Sequence, residues 1–459
     1  MNDFSPAILW QQLDANAATR RYCVAYSGGM DSTVLLAAMA QLADRLAPDG
    51  LRAVHVHHGL HAQADAWADA CRAQCAALAV PLTVVHVDAR SARGESPEAK
   101  AREARYAALD AALAPGEVLL TAHHADDQLE TVLIQLLRGA GVPGLAAMPR
   151  ETVFGPGLHQ RPLLAFGRAA LQAWARAHGL PAGIEDPANR ELRFSRNHLR
   201  HEVLPAIRAH WPGAARAAAR AARHCAEAAG LLDELAAQDA ADCRAGEALD
   251  ITAMRSLSAA RCRNLVRWQC RRQGLPVPDE RRLATLLDQL FAAAGHRRPE
   301  VRWPGVVAAR HANRLWLIPA ASLPAVPPPL AWPDPLEPLA LGAGLGRLSL
   351  RPDTSGGLSA AALEAAPWRV VFRAGGERLR LPGRAGSRAV KKLLHAAGTP
   401  PWVRARIPLL EIDGALAAVG AAWVDASWWA PPGTQGWRLS WEGCALPGNS
   451  MFIVGEQTF

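Results

Sequence analysis

The sequence predicts an α/β protein: a helix-covered parallel sheet at the N-terminus, then a helical domain, then a small α+β C-terminal domain. Three observations predict it. Short apolar runs alternate with Ala-rich stretches of helical period through the first third of the chain. An Ala- and Arg-rich region with almost no strand pattern follows, and a Pro-rich segment then precedes a last stretch of short strands. The 459 residues suffice for two to four domains at ~100–200 residues each.

The apolar runs are Tyr22–Tyr26, Leu51–Val56, Leu82–Val87 and Glu117–Ala122. Helical stretches lie near 32–46, 62–79, 97–114 and 126–138. Four strand-then-helix units predict parallel strands with both sheet faces covered. In such a sheet the site lies beyond the carboxyl ends of the strands. That directs attention to residues 27–32, 57–61, 88–91 and 123–127. From about Trp211 to Leu290 the pattern is helical, with Val306–Leu317 as the strand-like exception. Pro319–Pro335 (PAASLPAVPPPLAWPDP) suits neither a helix nor a central strand and reads as a linker. The predicted domains are 1–212, 213–318 and 336–459, joined by 319–335, with a helix near Ser387–Ala397 in the last.

Net charge is +8 and the pI about 9.4, compatible with a polyanionic partner. The excess is local. Between Arg369 and Arg406 ten residues are Lys or Arg and only Glu377 is acidic. With Trp368 and Trp402 nearby, the block suits a surface that tracks phosphates and stacks bases, and the arginines of 255–298 add to it. The competing reading is Arg-rich codon usage, since the only lysines are Lys100, Lys391 and Lys392. The eight cysteines are scattered without a CxxC pair, which argues against a zinc or iron–sulfur cage and for reduced, buried thiols. The opening MNDFSPAILWQQ lacks the layout of a signal peptide, and no apolar run reaches the ~20 residues of a membrane helix. The expectation is a cytoplasmic protein with no membrane contact.

Chemistry concentrates at the predicted strand ends. In SGGMDS, Gly28 and Gly29 let backbone approach a phosphate, the following helix start supplies unpaired N–H groups, and Ser27 and Ser32 add hydroxyls, Ser32 also as a helix cap. No GK dipeptide occurs, so this is not a Walker loop. Asp31 fits an anion site if Mg²⁺ bridges it to the phosphates. HHADDQLET places Asp127 and Glu130 on one helical face, able to hold an amino group, a metal or a proton. Taken alone, His123, His124 and Asp127 also suit a metal hydrolase, or a solvated helix start. HVHHGLH (His55–His61) suits a nucleotide or substrate contact through His58, a metal, or plain turn packing. In AREARY, Arg105 and Tyr106 share a helix with Lys100 and Glu103.

SGGMDS resembles the SGGxDS motif of the PP-loop ATP pyrophosphatases, with their adenine-nucleotide α-hydrolase-like fold. The further order HxxHGL, REARY, HHADDQxET…RG, RPLL (Arg161–Leu164) and DPxN…R…NHLR narrows the resemblance to tRNA(Ile)-lysidine synthetases. The last piece reads Asp186, Asn189, Arg193, Arg196, Asn197 and Arg200 here. Phe372–Leu410, with its KK, PPW and R-x-R-x-P, resembles that family's C-terminal domain. The middle region matches loosely, and Gly448–Phe459 matches nothing.

The resemblance implies an ATP-dependent ligase acting on the wobble cytidine of an isoleucine tRNA with a CAU anticodon. Its C2 oxygen attacks the α phosphate, diphosphate leaves, and the ε-amine of L-lysine displaces AMP. It implies ATP on Ser27, Gly28, Gly29, Met30, Asp31 and Ser32, with Mg²⁺ near Asp31. Arg105 and Arg200 are candidates for the charge at the α phosphate or for holding the base. Asp127 and Glu130 are candidates for holding the cytosine amino group or the lysine ammonium, or for taking its proton. His58, His123, Arg196, Arg378, Lys391, Lys392, Trp402 and Arg404 are candidates for substrate or tRNA contact. A homodimer is compatible with the sequence. Another PP-loop enzyme, a tRNA thiolase or a small-molecule synthetase, is the alternative.

Overall fold

A computed structural model gives the fold and describes residues 3–13, 16–59, 61–88, 90, 97–184, 187, 191–292, 299–365, 367–444 and 446–448. Asp186, Asn189 and the terminal 449–459 lie outside the described residues. The chain divides into two compact units, Met1–Leu231 and Leu232–Phe459.

The first unit holds the predicted sheet. β1 (Tyr22–Ala25), β2 (Leu51–His57), β3 (Leu82–His86) and β4 (Val118–Leu120) are the four apolar runs, β2 one residue longer than expected and the others trimmed at their ends. β1 and β4 are central, and Tyr22, Val24, Val118, Leu119 and Leu120 are wholly buried, as strands covered on both faces must be. A hairpin not predicted from the sequence, β5 (Glu151–Phe154) and β6 (Gly157–Gln160), extends the sheet. The strand order is β3-β2-β1-β4-β6-β5, parallel except for β5. The order reverses direction between β1 and β4. That is the switch point at which doubly wound sheets open a ligand crevice. SGGMDS follows β1 and HHADDQ follows β4, so the topology alone sets the two motifs side by side.

The predicted helical region is present, with a sheet of which the sequence showed only the Val306–Leu317 stretch. Helices Ala259–Arg272 and Glu280–Ala292 bury Leu265, Val266, Leu283, Leu286 and Leu290. They accompany a five-stranded antiparallel sheet of Arg244–Ala245, Ala248–Asp250, Arg314–Pro319, Val306–His311 and Glu300–Trp303. Its turns are written locally: Pro304-Gly305 joins one hairpin, and Ala312-Asn313, both at positive φ, joins the next.

The Pro-rich segment is not a free spacer. Leu330–Ala331 pairs with Trp368–Phe372, and Trp332 is 2% exposed, its ring edge-on to Trp368 at 5.6 Å. The rest of the unit is two five-stranded antiparallel sheets and the short ladder Arg378–Leu379 with Arg388–Ala389. Val307, Ala309 and Ile318 share one core cluster with Trp332, Leu350, Val370 and Leu409. No helix among the described residues is long and apolar enough to cross a membrane.

Candidate functional site

The loop after β1 is shaped by what it cannot accommodate. Gly28 has φ +79°, and a Cβ there would sit 2.4 Å from Ile184 Cδ1 and 2.9 Å from Cys71 Sγ. Gly183, at φ +86°, presses as closely from the other side: its Cβ would lie 2.4 Å from the Met30 nitrogen. Ile184 N donates to Gly28 O at 2.9 Å, so a distant segment braces the loop. Gly29 is the N-cap of helix Met30–Ala40. Ser32 is therefore not the cap. It is the third helical residue, and its hydroxyl lies 2.9 Å from Gly29 O and 3.1 Å from Ser27 Oγ. The first-turn N–H groups of this helix point out of the strand end, the arrangement that attracts an anion.

After β4, His124 caps helix Ala125–Leu137 in a reciprocal box with Asp127: His124 N donates to Asp127 Oδ2 at 3.0 Å, and Asp127 N to His124 Nδ1 at 3.4 Å. The other Asp127 oxygen accepts from Arg196 and Arg200, each at 3.1 Å. Glu130, 1% exposed, accepts from Arg196 Nε and Arg200 Nε at 2.7 Å each. Both carboxylates thus face guanidiniums. Burial alone would raise the Asp127 pKa, but His124, Arg196 and the capping bond outweigh it and hold it below the ordinary carboxylate value. His124 is likewise opposed by burial, yet Asp31, Asp127 and Asp126 raise its pKa. Its Nε2 stands 3.6 Å from Asp31 Oδ2.

One cavity of about 640 Å³ gathers these parts. Ser27, Gly29, Met30, Asp31 and Ser32 line one wall. His58, Arg105, His123 and Arg200 line the others, drawing on four separate segments of the sequence. Asp127, Glu130 and Arg196 stand behind Arg200 rather than on the wall. Arg168, which the sequence did not single out, also lines the cavity, its Nε 3.8 Å from Asp31 Oδ1.

Asp31 Oδ1 is buried without a hydrogen-bond partner. A hard carboxylate oxygen beside a phosphate-type loop, held only by the long 3.8 Å ion pair to Arg168, is of the donor type that Mg²⁺ takes, so Asp31 would be the residue to hold it. No group of three or more His, Cys, Asp or Glu side chains among the described residues could hold a metal. The hydrolase reading of His123, His124 and Asp127 has no support here, because capping engages both His124 Nδ1 and Asp127. The histidines of HVHHGLH are also dispersed: His55 Nδ1 meets Tyr26 O at 2.9 Å, His57 pairs with Asp65 at 3.0 Å, and His61 stacks on Trp67.

Of the C-terminal candidates, Arg378, Lys391 and Lys392 are exposed, as are Arg369, Arg380, Arg384 and Arg388. Trp402 and Arg404 differ. Trp402 is 7% exposed, its Nε1 donating to Pro447 O and its ring edge-on to Trp316. Arg404 is 8% exposed, with Nε donating to Thr399 O. Both serve the core, and Trp402 has no open face on which a base could stack; the same holds for Trp368, 4% exposed.

Three family models match the chain: a PP-loop domain over residues 7–207, a TilS substrate binding domain over 249–316, and a TilS substrate C-terminal domain over 368–441. Among curated proteins, the tRNA(Ile)-lysidine synthase of Pseudomonas aeruginosa is 45% identical, covering 92% of this chain and 93% of its own length. The enzyme of the same name from Methylococcus capsulatus is 42% identical, covering 90% and 94%. That of Alkalilimnicola ehrlichii is 43% identical, covering 94% and 96%. With a PP-loop crevice at the switch point and these relatives along nearly its whole length, the chain belongs to the tRNA(Ile)-lysidine synthase family.

Proposed function

We propose that this protein forms lysidine in the cytoplasm by joining L-lysine to C2 of the wobble cytidine of an isoleucine tRNA, consuming ATP and releasing AMP and diphosphate. The observation that carries the reading is the single cavity onto which the β1 loop and Arg200 both open. The main-chain N–H groups at the start of helix Met30–Ala40, with Ser27 and Ser32, hold the phosphates. Mg²⁺ at Asp31, when bound, neutralises triphosphate charge. Arg105, Arg168 and Arg200 face the charge that grows at the α phosphate as the cytidine C2 oxygen attacks. Asp127 and Glu130 fix Arg196 and Arg200. Paired this way, and with Asp127 held acidic, they are poorly placed to take a proton. The exposed cations from Arg369 to Lys392 track the tRNA backbone.

Thiolation is the weaker reading. Cys23 and Cys71 are buried thiols pushed up to about 12 by desolvation, the opposite of an activated thiolate. The test incubates the full chain with ATP, unmodified tRNA(Ile) bearing a CAU anticodon, and radiolabelled lysine. Label in the tRNA with matching AMP and diphosphate is expected. Release of ADP and orthophosphate, or labelling from a sulfur donor instead of lysine, overturns the reading.

A further inference from the structure

Behind the cavity wall runs a chain of hydrogen bonds with a fixed direction. Arg161 Nη2 lies 3.1 Å from His159 Nδ1; His159 Nε2 lies 2.8 Å from Thr121 Oγ1; Thr121 Oγ1 lies 2.8 Å from His123 Nδ1. Arg161 can only donate, so His159 Nδ1 must accept. Burial, with Arg161 adding to it, pushes His159 down to about 3, so the ring is neutral and its one hydrogen sits on Nε2, donating to Thr121. Thr121 has one hydroxyl hydrogen and, among the described residues, no acceptor for its side chain but His123 Nδ1. That hydrogen therefore goes to His123, whose Nδ1 accepts. Burial, the largest influence on His123, also pushes its pKa far down. A neutral ring with Nδ1 accepting carries its hydrogen on Nε2, the nitrogen left for the cavity that His123 lines.

We propose that Arg161, His159 and Thr121 are positioning residues that lock His123 as its Nε2–H tautomer, presenting a neutral donor to an acceptor oxygen of the bound substrate. This rests on the proposed function for the identity of that substrate, but the tautomer itself does not. The acceptor is an oxygen of a phosphoryl group or of a base carbonyl. A neutral donor suits either, since an imidazolium would protonate or over-stabilise the oxygen instead of orienting it. Arg161 and His159 approach the site only because β6 pairs with β4 (Leu119 with His159), so the parallel ladder delivers the second half of the relay.

The test is ¹⁵N NMR of histidine-labelled full-length protein, with Thr121→Val, Thr121→Ser, His159→Leu and His159→Gln. The wild type is expected to show His123 as the Nε2–H tautomer. Thr121→Ser keeps it. His159→Gln keeps it as well, because the amide oxygen accepts from Arg161 and its NH₂ donates onward. Thr121→Val and His159→Leu are expected to mix the tautomers and lower kcat on the order of tenfold, with KM for ATP nearly unchanged. A non-hydrolysable ATP analogue that shifts the His123 Nε2–H signal identifies a phosphoryl acceptor; a shift only on adding unmodified tRNA identifies the base. The proposal is overturned by a wild-type His123 carrying its hydrogen on Nδ1 or on both nitrogens, by a signal indifferent to both additions, or by Thr121→Val turning over at the wild-type rate. If Thr121→Val fails to fold, the wild-type tautomer and the contrast of His159→Gln with His159→Leu still decide it. Absence of lysine transfer by the wild type would sink the proposed function and leave the tautomer to be judged by NMR alone.

Discussion

Arg200 grips Glu130 through two bonds, Nε to Oε1 at 2.7 Å and Nη2 to Oε2 at 2.9 Å. Arg200 sits in a π-helical turn, Leu199–Val203, an irregularity that commonly marks functional sites. Glu130 is almost wholly buried, and removing it leaves two guanidiniums opposed with only Asp127 between them. Glu130→Ala is expected to cost about 3 kcal/mol of stability, read by urea unfolding, and to abolish lysine transfer. Glu130→Gln should fold better yet remain slow. Full activity in Glu130→Gln would show that charge at this position is dispensable.

Asp31→Ala should abolish lysine transfer and diphosphate release while tRNA affinity changes little. The residue lines the cavity of the first unit, and the exposed basic residues belong to the second. Filter binding and product analysis on the same preparation check this; joint loss of both activities would contradict it.

Gly28→Ala combines a strained φ with a Cβ on top of Ile184. A left-handed non-glycine costs roughly 1–2 kcal/mol and overpacking a further ~1–3 kcal/mol. The expected result is a lower unfolding midpoint and weakened ATP binding, measured by calorimetry. A variant with wild-type ATP affinity would mean that the loop tolerates a different path.

Glu117, 3% exposed, receives Arg52 Nε at 2.7 Å and Nη2 at 2.6 Å, and the Ala114 N–H at 2.9 Å. Burial would raise its pKa, but Arg52 and the Ala114 amide outweigh it and lower it from 4.5. The folded chain therefore binds this proton less readily than the unfolded one. The stabilisation is present above the ordinary value and disappears as pH falls through the folded one. Wild type should exceed Glu117→Gln by about 2 kcal/mol at neutral pH, and the gap should close on acidification. A gap independent of pH would point to packing instead.

Lys391 and Lys392 open helix Val390–Ala396 with both side chains exposed. Neutralising both should weaken tRNA binding and make the plot of log K against log salt shallower by about 1–2. Trp402→Ala should act differently, costing about 3–5 kcal/mol of stability through the cavity it leaves. Binding loss without destabilisation at Trp402 would restore a stacking role.

The legible parts of the sequence were those whose cause is local. A strand buried on both faces must be a continuous apolar run, so β1 to β4 were readable, and so was a Gly-Gly turn opening a helix. Of the sheet that accompanies the helices of the second unit only the Val306–Leu317 stretch was readable, because Arg244–Ala245 and Ala248–Asp250 are too short to show a period. Arg168 was invisible among 50 cationic residues, since only the folded chain brings it beside Asp31. Trp402 misled because a charged neighbourhood in sequence does not say whether a ring on the short helix Pro401–Arg404 faces the core or the solvent. The pairing of β6 with β4, which completes the Arg161–His159–Thr121–His123 relay, depends on contacts nearly forty positions apart.

The shared interior of the second unit bears on how such proteins diversify. Residues 249–316 and 368–441 are separate modules when matched by sequence, yet Trp316 packs on Trp402 and His311 bonds Gly398 O. Each module has a core of its own, so a chimera exchanging either one between two relatives would put at risk the seam where Val307, Ala309 and Trp316 meet the C-terminal core. Recombination should therefore have moved the pair together, and drift at Trp316 should be answered by drift at Trp402.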